Sequence, residues 1–309
     1  MAEANHDTMP SGDTTLLIPA PMPVKPIHVS FDFGAKSHIG KVRAKNEDHY
    51  LVARAAKTLD ILSTSLPEEK RAPLVQAEGY IMLVADGMGG RGGGELASAF
   101  VVNEAIRHIL ETAKWFFRLD DPDRQVRIRL LHESLERVDR KLREEAEEDP
   151  TLKGMGTTLT AVSLIGPDAF LVHVGDSRAY LSRDGDLRQL TTDHTLVREM
   201  VEKGILTSKG ARMHHLRHVI TNVIGGPPGV DGEMSDFRLQ NGDRVLVCSD
   251  GLTEPVADEQ ILEILLRHSN PQEASDALVQ AALKNGGPDN ITVVIANCTM
   301  EGGEQPPGT

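Results

Sequence analysis

The grouping of strand and helix signals along the chain is the feature that most constrains its fold. Three apolar-rich, strand-like runs come first: HVSFDFGAKSH (28–38), DHYLVARAA (48–56) and GYIMLVAD (79–86). Two helical patterns follow. In ELASAFVVNEAIRHILETA (95–113), Leu96, Phe100, Ala105 and Ile109 recur at helical spacing, and RQVRIRLLHESLERVDRKLREEAEE (124–148) gathers Leu130, Leu131, Leu135, Val138 and Leu142 on one face. Strands return in TTLTAVSLIG, AFLVHVGDSRAYLSR and DLRQLT, the last reached through an Asp184-Gly185 hairpin signal. After an irregular excursion over 192–229, MSDFRLQNGDRVLVCSDG predicts a second hairpin about Asn241-Gly242. The helical segments DEQILEILLRH and PQEASDALVQAALKN and a final strand, ITVVIANC, complete the order. Grouped rather than alternating elements predict a layered α+β fold.

That order disposes of one reading of the glycines after the third strand. Gly87, Gly89 and Gly92 satisfy the dinucleotide fingerprint G-x-G-x-x-G. Such a fold needs a second strand soon after the helix, ending in an acidic residue about 20 residues past the glycines. Here that distance falls at Glu111, inside the helical pattern. A formal charge of −13 excludes nucleic acid and anionic membrane surfaces as partners, since both select basic proteins. Cys248 and Cys298 sit in apolar runs as buried, reduced thiols, and no segment reads as a membrane span or signal peptide, so the chain is expected in the cytoplasm. Residues 1–28, rich in Pro, Thr, Ser and Ala, read as a flexible tail, 29–300 as one domain, and 301–309 as a second short tail.

Carboxylates stand repeatedly at strand ends. Asp86 follows YIMLVA, Asp250 follows VLVCS, Asp176 follows LVHVG, Asp289 precedes ITVVIA, and Glu47 and Asp48 open HYLV. Any one of them is explained as turn chemistry. Six at sheet edges would repel one another unless cations intervene. Oxygen ligands without adjacent His or Cys pairs suit Mg²⁺ or Mn²⁺ rather than Zn²⁺. Asp86 is the candidate bridge between two ions that activate a water and clamp a phosphoryl group, with the Gly87 carbonyl as a further ligand.

In order, GKVRAKNEDHYLV, VADGMGG, GMGTTLTAV, VGDSRAYL, LTTDHTLV, LVCSDGL and GPDNITVVI resemble the signature motifs of the metal-dependent protein phosphatases of the 2C type, from Phe31 to about Thr299. The resemblance implies a four-layer αββα sandwich, with two central antiparallel sheets flanked by helices, that hydrolyses phosphoserine and phosphothreonine in proteins. It also implies that Asp86 bridges two Mn²⁺ or Mg²⁺ ions, that Gly87 adds its carbonyl, and that Asp250 and Asp289 ligate the second ion. Glu47 and Asp48 would hold or orient water at the metals, Asp176 with Asp250 would serve a third, weaker ion, and Arg43 would bind phosphate through its planar donors. The plain alternative for Arg43 is a solvated surface arginine. Animal relatives carry His where this chain has Met88, which cannot donate a proton; the substitution matches the bacterial branch.

The 192–229 excursion corresponds to the family's variable flap. Its Arg212, His214, His215, Arg217 and His218 form either a solvated loop or a patch that attracts acidic or phosphorylated segments. Asp193 or Thr195 is expected to cap the helix TLVREMVEKG, and Trp115, Phe116 and Phe117 to pack onto the core. Phosphorylated proteins, including serine/threonine kinases and their substrates, are the implied partners of a monomeric enzyme. Two rivals stand beside it. A pseudophosphatase scaffold would show loss of a metal carboxylate, which Asp86, Asp250 and Asp289 do not; a phosphatase of small molecules or of anti-sigma-factor antagonists is not separated by these motifs.

Overall fold

The computed structural model of the protein describes residues 28–57, 77–111, 124–149, 152–227 and 229–302. Most of both expected tails, and Trp115, Phe116 and Phe117, lie outside the described residues. Strands β1 (His28–His38), β2 (Asp48–Lys57) and β3 (Ala77–Met88) precede helices α1 (Gly93–Glu111) and α2 (Arg124–Glu148). Then come β4 (Gly156–Thr157), β5 (Leu159–Ile165), β6 (Asp168–Val174), β7 (Arg178–Arg183) and β8 (Asp186–Gln189). The flap carries α3 (Leu196–Glu202) and α4 (Ser208–Arg212). Finally β9 (Glu233–Arg238), β10 (Arg244–Cys248), α5 (Asp250–Thr253), α6 (Asp258–Arg267), α7 (Pro271–Lys284) and β11 (Ile291–Glu301) close the fold.

The strands form two antiparallel sheets, one in the order β1-β11-β10-β7-β8 and the other β2-β3-β5-β6-β9, with β4 paired to β3. Alternation of side chains explains why the central strands read as unbroken apolar runs: each is buried on both faces. On β10, Val245 and Val247 face the other sheet while Leu246 and Cys248 face α6 and α7. On β3, Met82 and Val84 join the inter-sheet core, and Ile81 and Leu83 pack with Ala97 and Val101 of α1 and Leu135 and Leu142 of α2. Three successive apolar cores therefore separate four layers, helices, sheet, sheet, helices, as the resemblance implied.

Asp184-Gly185 makes the tight turn between β7 and β8, both residues at positive φ (52° and 82°), as a type I′ hairpin requires. Asn241-Gly242 does not make a hairpin. β9 pairs with β6 in one sheet, whereas β10 pairs with β7 and β11 in the other. The turn carries the chain across the sandwich because its partners lie far along the chain: Gly242 N–H bonds the Cys298 carbonyl at 2.9 Å, and buried Asp243 is gripped by Arg183. Turn chemistry specifies a reversal, and the partners outside the turn decide which sheet receives it. The outermost pairing is the longest, β1 lying against β11 from His28 opposite Glu301 to His38 opposite Ile291.

Candidate metal centre

The register of β2 on β3 places Asp48 directly opposite Asp86. The Asp86 backbone is held on both sides, its N–H donating to the Thr158 hydroxyl at 3.0 Å and its carbonyl accepting from the Thr157 hydroxyl at 2.9 Å. At Gly87 a Cβ would stand 2.0 Å from the Gly94 carbonyl oxygen, so glycine is what lets α1 begin against the end of β3. Glu47 is fixed through its main chain. Its N–H donates to Asn290 Oδ1 at 2.8 Å, and its carbonyl accepts from Gly87 N–H at 3.1 Å and from the Ser98 hydroxyl at 2.6 Å.

The second sheet supplies the other acids. Asp250 opens α5 directly after β10, and Asp289 stands just before β11, the strand paired with β10. These segments meet backbone to backbone: a Cβ on Gly251 would lie 1.8 Å from the Asn290 carbonyl oxygen. Asp176 sits where the chain passes from β6 to β7, hence from one sheet to the other. A hydrogen bond from the Ser249 hydroxyl to Asp48 Oδ2, 2.7 Å, ties the two sheets at the site. Arg43 stands at the rim with its side chain 53% exposed, and its Nη2 donates to Asp289 Oδ2 at 2.6 Å. The structure thus gathers Arg43, Glu47, Asp48, Asp86, Gly87, Asp176, Asp250 and Asp289 at one end of the sandwich.

The electrostatics of this cluster call for a cation. Asp48 Oδ1, Asp176 Oδ1 and Asp250 Oδ1 are buried with no hydrogen-bond partner, a costly state for a carboxylate. Burial pushes the Asp48 carboxyl up to about 6, and burial followed by the charge of Asp193 raises Asp176 to about 7. Asp86 and Asp250 are driven well above the usual carboxylate range, first by burial and then by neighbouring carboxylates. An all-oxygen set of crowded, orphaned acids fits hard divalent ions such as Mn²⁺ or Mg²⁺.

A second acid and imidazole cluster has a different character. His173, His194 and Glu233 hold ligand-type atoms within 4.8 Å of one another. His173 Nε2 faces the Thr192 carbonyl at 3.0 Å and so carries the proton, leaving Nδ1 to accept from the Thr160 hydroxyl at 2.9 Å. No lone pair of that ring remains for a metal. His194 Nδ1 likewise accepts from Gly175 N–H and from the Asn222 amide, so these side chains form a hydrogen-bonded core at the base of the flap.

Within the flap, Thr195 caps α3, its hydroxyl accepting from Arg198 N–H at 3.3 Å. Asp193 instead grips Arg178 through two bonds of 2.8 and 2.6 Å. Of the basic cluster, Arg217 and His218 face Glu254 at 3.6 and 3.4 Å, so part of its charge is already engaged. Between the flap and residues 253–258 runs a groove of about 740 Å³ that opens onto Asp176 and Asp250. The residues that hold the acids in place, Ser98, Thr157, Thr158, Ser249 and Asn290, carry no charge and were not singled out from sequence. Thr157, Thr158, Ser249 and Asn290 stand beside glycines or acids at strand ends in GMGTT, CSDG and PDNIT, and Ser98 lies in the helical pattern after the glycines, so adjacency is their one signal in the sequence.

Comparison with known proteins supplies the lineage. The family model described as Protein phosphatase 2C matches residues 72–285. The serine/threonine protein phosphatase PstP of Mycobacterium tuberculosis is 36% identical over 265 residues, which cover 86% of this chain and 44% of that protein. The chain therefore spans less than half the length of PstP. Protein phosphatase PhpP of Streptococcus pneumoniae is 31% identical over 86% of this chain and 97% of its own length. Among solved structures, the catalytic domain of PstP in complex with two manganese ions superposes with a TM-score of 0.68 at 33% identity, covering 88% of this chain and all of that one.

Proposed function

Since the chain belongs to the protein phosphatase 2C family, we propose that it is a metal-dependent serine/threonine protein phosphatase. The observation that carries this function is the cluster of buried carboxylates from both sheets with three unpartnered oxygens, beside an exposed arginine. Asp86, the Gly87 carbonyl, Asp250 and Asp289 would hold two Mn²⁺ or Mg²⁺ ions, and Asp176 with Asp250 a third, weaker one. The chemistry such ions supply is acidification of water and neutralisation of phosphoryl charge. Ser249 takes up Asp48 Oδ2, so Oδ1 would be the atom to accept a hydrogen bond from the attacking water, and Glu47, the preceding residue, would be a second acceptor. Arg43 presents planar donors suited to phosphoryl oxygens. The open groove next to Asp176 and Asp250 gives an extended phosphopeptide room, which favours protein substrates over small molecules.

We further propose phosphoproteins that include serine/threonine kinases as substrates, a monomeric catalytic unit over 29–300, and a cytoplasmic site of action, in keeping with buried free thiols at Cys248 and Cys298. No helix among the described residues is long and apolar enough to cross a membrane. Hydrolysis of a phosphothreonine peptide should require Mn²⁺ or Mg²⁺ and stop on chelation. Asp86→Asn and Asp250→Asn should each lower turnover on the order of a thousandfold while remaining folded. Turnover persisting in excess EDTA, or near-normal rates in both variants, would overturn the assignment.

A further inference from the structure

Arg43 belongs to a loop, residues 39–47, with no regular secondary structure, and residues 41–45 of it are all exposed. An arginine on such a loop can select phosphate only if something outside the loop fixes where its backbone runs. The group that does most of this is the Asn290 carboxamide, which is 5% exposed. Its Oδ1 accepts from Glu47 N–H at 2.8 Å, and its Nδ2 donates to the carbonyls of Ile39 and Lys45 at 2.9 and 2.8 Å. One planar side chain thereby grips the loop at its entry and twice near its exit, on either side of Arg43. The adjoining backbone leaves little slack: Lys41 N–H bonds the Gly287 carbonyl at 2.8 Å, and a Cβ at Gly40 would stand 2.1 Å from the Asp289 carbonyl oxygen.

We propose that Asn290 is a positioning residue for phosphate recognition, acting through Arg43 rather than on substrate or metal. It rests on the phosphatase assignment and on Arg43 as the phosphate-binding group. The chemistry explains the residue type. The site demands one acceptor and two donors from a single short planar group, and only asparagine meets that. Aspartate has no donor, alanine has neither, and glutamine carries the amide one methylene too far.

A double-mutant cycle of Asn290→Ala with Arg43→Ala tests the assignment, because a residue that acts only through another has no effect once that other is gone. Affinity for inorganic phosphate by calorimetry on Mn²⁺-loaded protein, KM and kcat on a phosphothreonine peptide, and Mn²⁺ affinity are measured for all four proteins. Asn290→Ala should weaken phosphate binding and raise KM about tenfold with a smaller change in kcat, and in the Arg43→Ala background it should change either by less than about twofold. Mn²⁺ affinity should stay within about twofold, a readout that a general loosening of the site would move. Multiplicative effects in the cycle, or loss of Mn²⁺ affinity as the main effect, would overturn the proposal, as would an Arg43→Ala variant with normal phosphate affinity. If Asn290→Ala does not fold, Asn290→Gln, which keeps the amide and displaces it, takes its place with the same expectations. The calorimetric arm needs no turnover, so an inactive wild type would overturn the phosphatase assignment and leave the cycle intact.

Discussion

At the scale of single residues, His173 shows how a buried side chain writes pH dependence into the fold. Burial and the neighbouring His194 push its imidazole down to about 4, and both its nitrogens are bonded as a neutral ring. Unfolded, the ring takes a proton near pH 6.5. Its contribution to stability is therefore complete above that pH and declines as pH falls from 6.5 to about 4, by roughly 3 kcal/mol in all. Denaturant titrations of wild type and His173→Gln from pH 7 to 4 should show the stability gap between them closing by that amount. A constant gap would mean that the folded imidazole takes up its proton as readily as the unfolded one.

Met88 sits at the end of β3 opposite Gly156 and has no proton to give a departing alkoxide. Rates on a series of phosphate esters should therefore fall steeply as the leaving group grows more basic, provided chemistry limits turnover. Met88→His should flatten that slope, since general acid catalysis is worth about a hundredfold or more. A shallow slope in wild type would locate the acid elsewhere. Acids were legible in the sequence because a carboxylate that ends an apolar strand announces itself. The neutral residues that orient them were not, because Thr157, Ser249 and Asn290 look like any polar residue until the two sheets are brought together.

At the scale of elements, sequence patterns gave the strands and helices closely; α2 spans the same 124–148 segment that its apolar stripe marks. Sheet membership was less legible. β6 and β7 read as one segment, AFLVHVGDSRAYLSR, yet belong to different sheets, and Asn241-Gly242 joins strands that never pair. Local periodicity records burial, whereas assignment to a sheet depends on partners far along the chain. How elements touch also depends on single atoms. A Cβ on Gly34 of β1 would stand 2.2 Å from the Pro271 carbonyl carbon and oxygen at the start of α7. Gly34→Ala should therefore lift that helix from the sheet and cost about 3 kcal/mol by denaturant unfolding. Gly90→Ala, with no heavy atom within 4 Å of the new methyl group, should be close to neutral and serves as its control.

For the whole molecule, the candidate metal centre is a joint between two sheets, with Asp48 and Asp86 on strands of one and Asp250 and Asp289 at strand ends of the other. Ion binding should consequently be felt as global stability. Mn²⁺ at a hundred times its dissociation constant should add about 2.7 kcal/mol, seen as a higher melting temperature that chelation reverses, and Asp86→Asn should lose most of that gain. An unchanged melting temperature would mean that the folded protein does not bind the ion in preference to the unfolded chain.

The full-length pairing of β1 with β11 brings residues 28 and 301 side by side at one edge of the sandwich. Tension applied between those two points would not shear the sheet but peel it, loading the ladder one hydrogen bond after another, as a zipper opens. β1 would leave first, breaking its contact with α7, and the next segment drawn out is the loop that bears Arg43. A pull at those two points would thus displace Arg43, the proposed phosphate-binding group, while the other ten strands still held together.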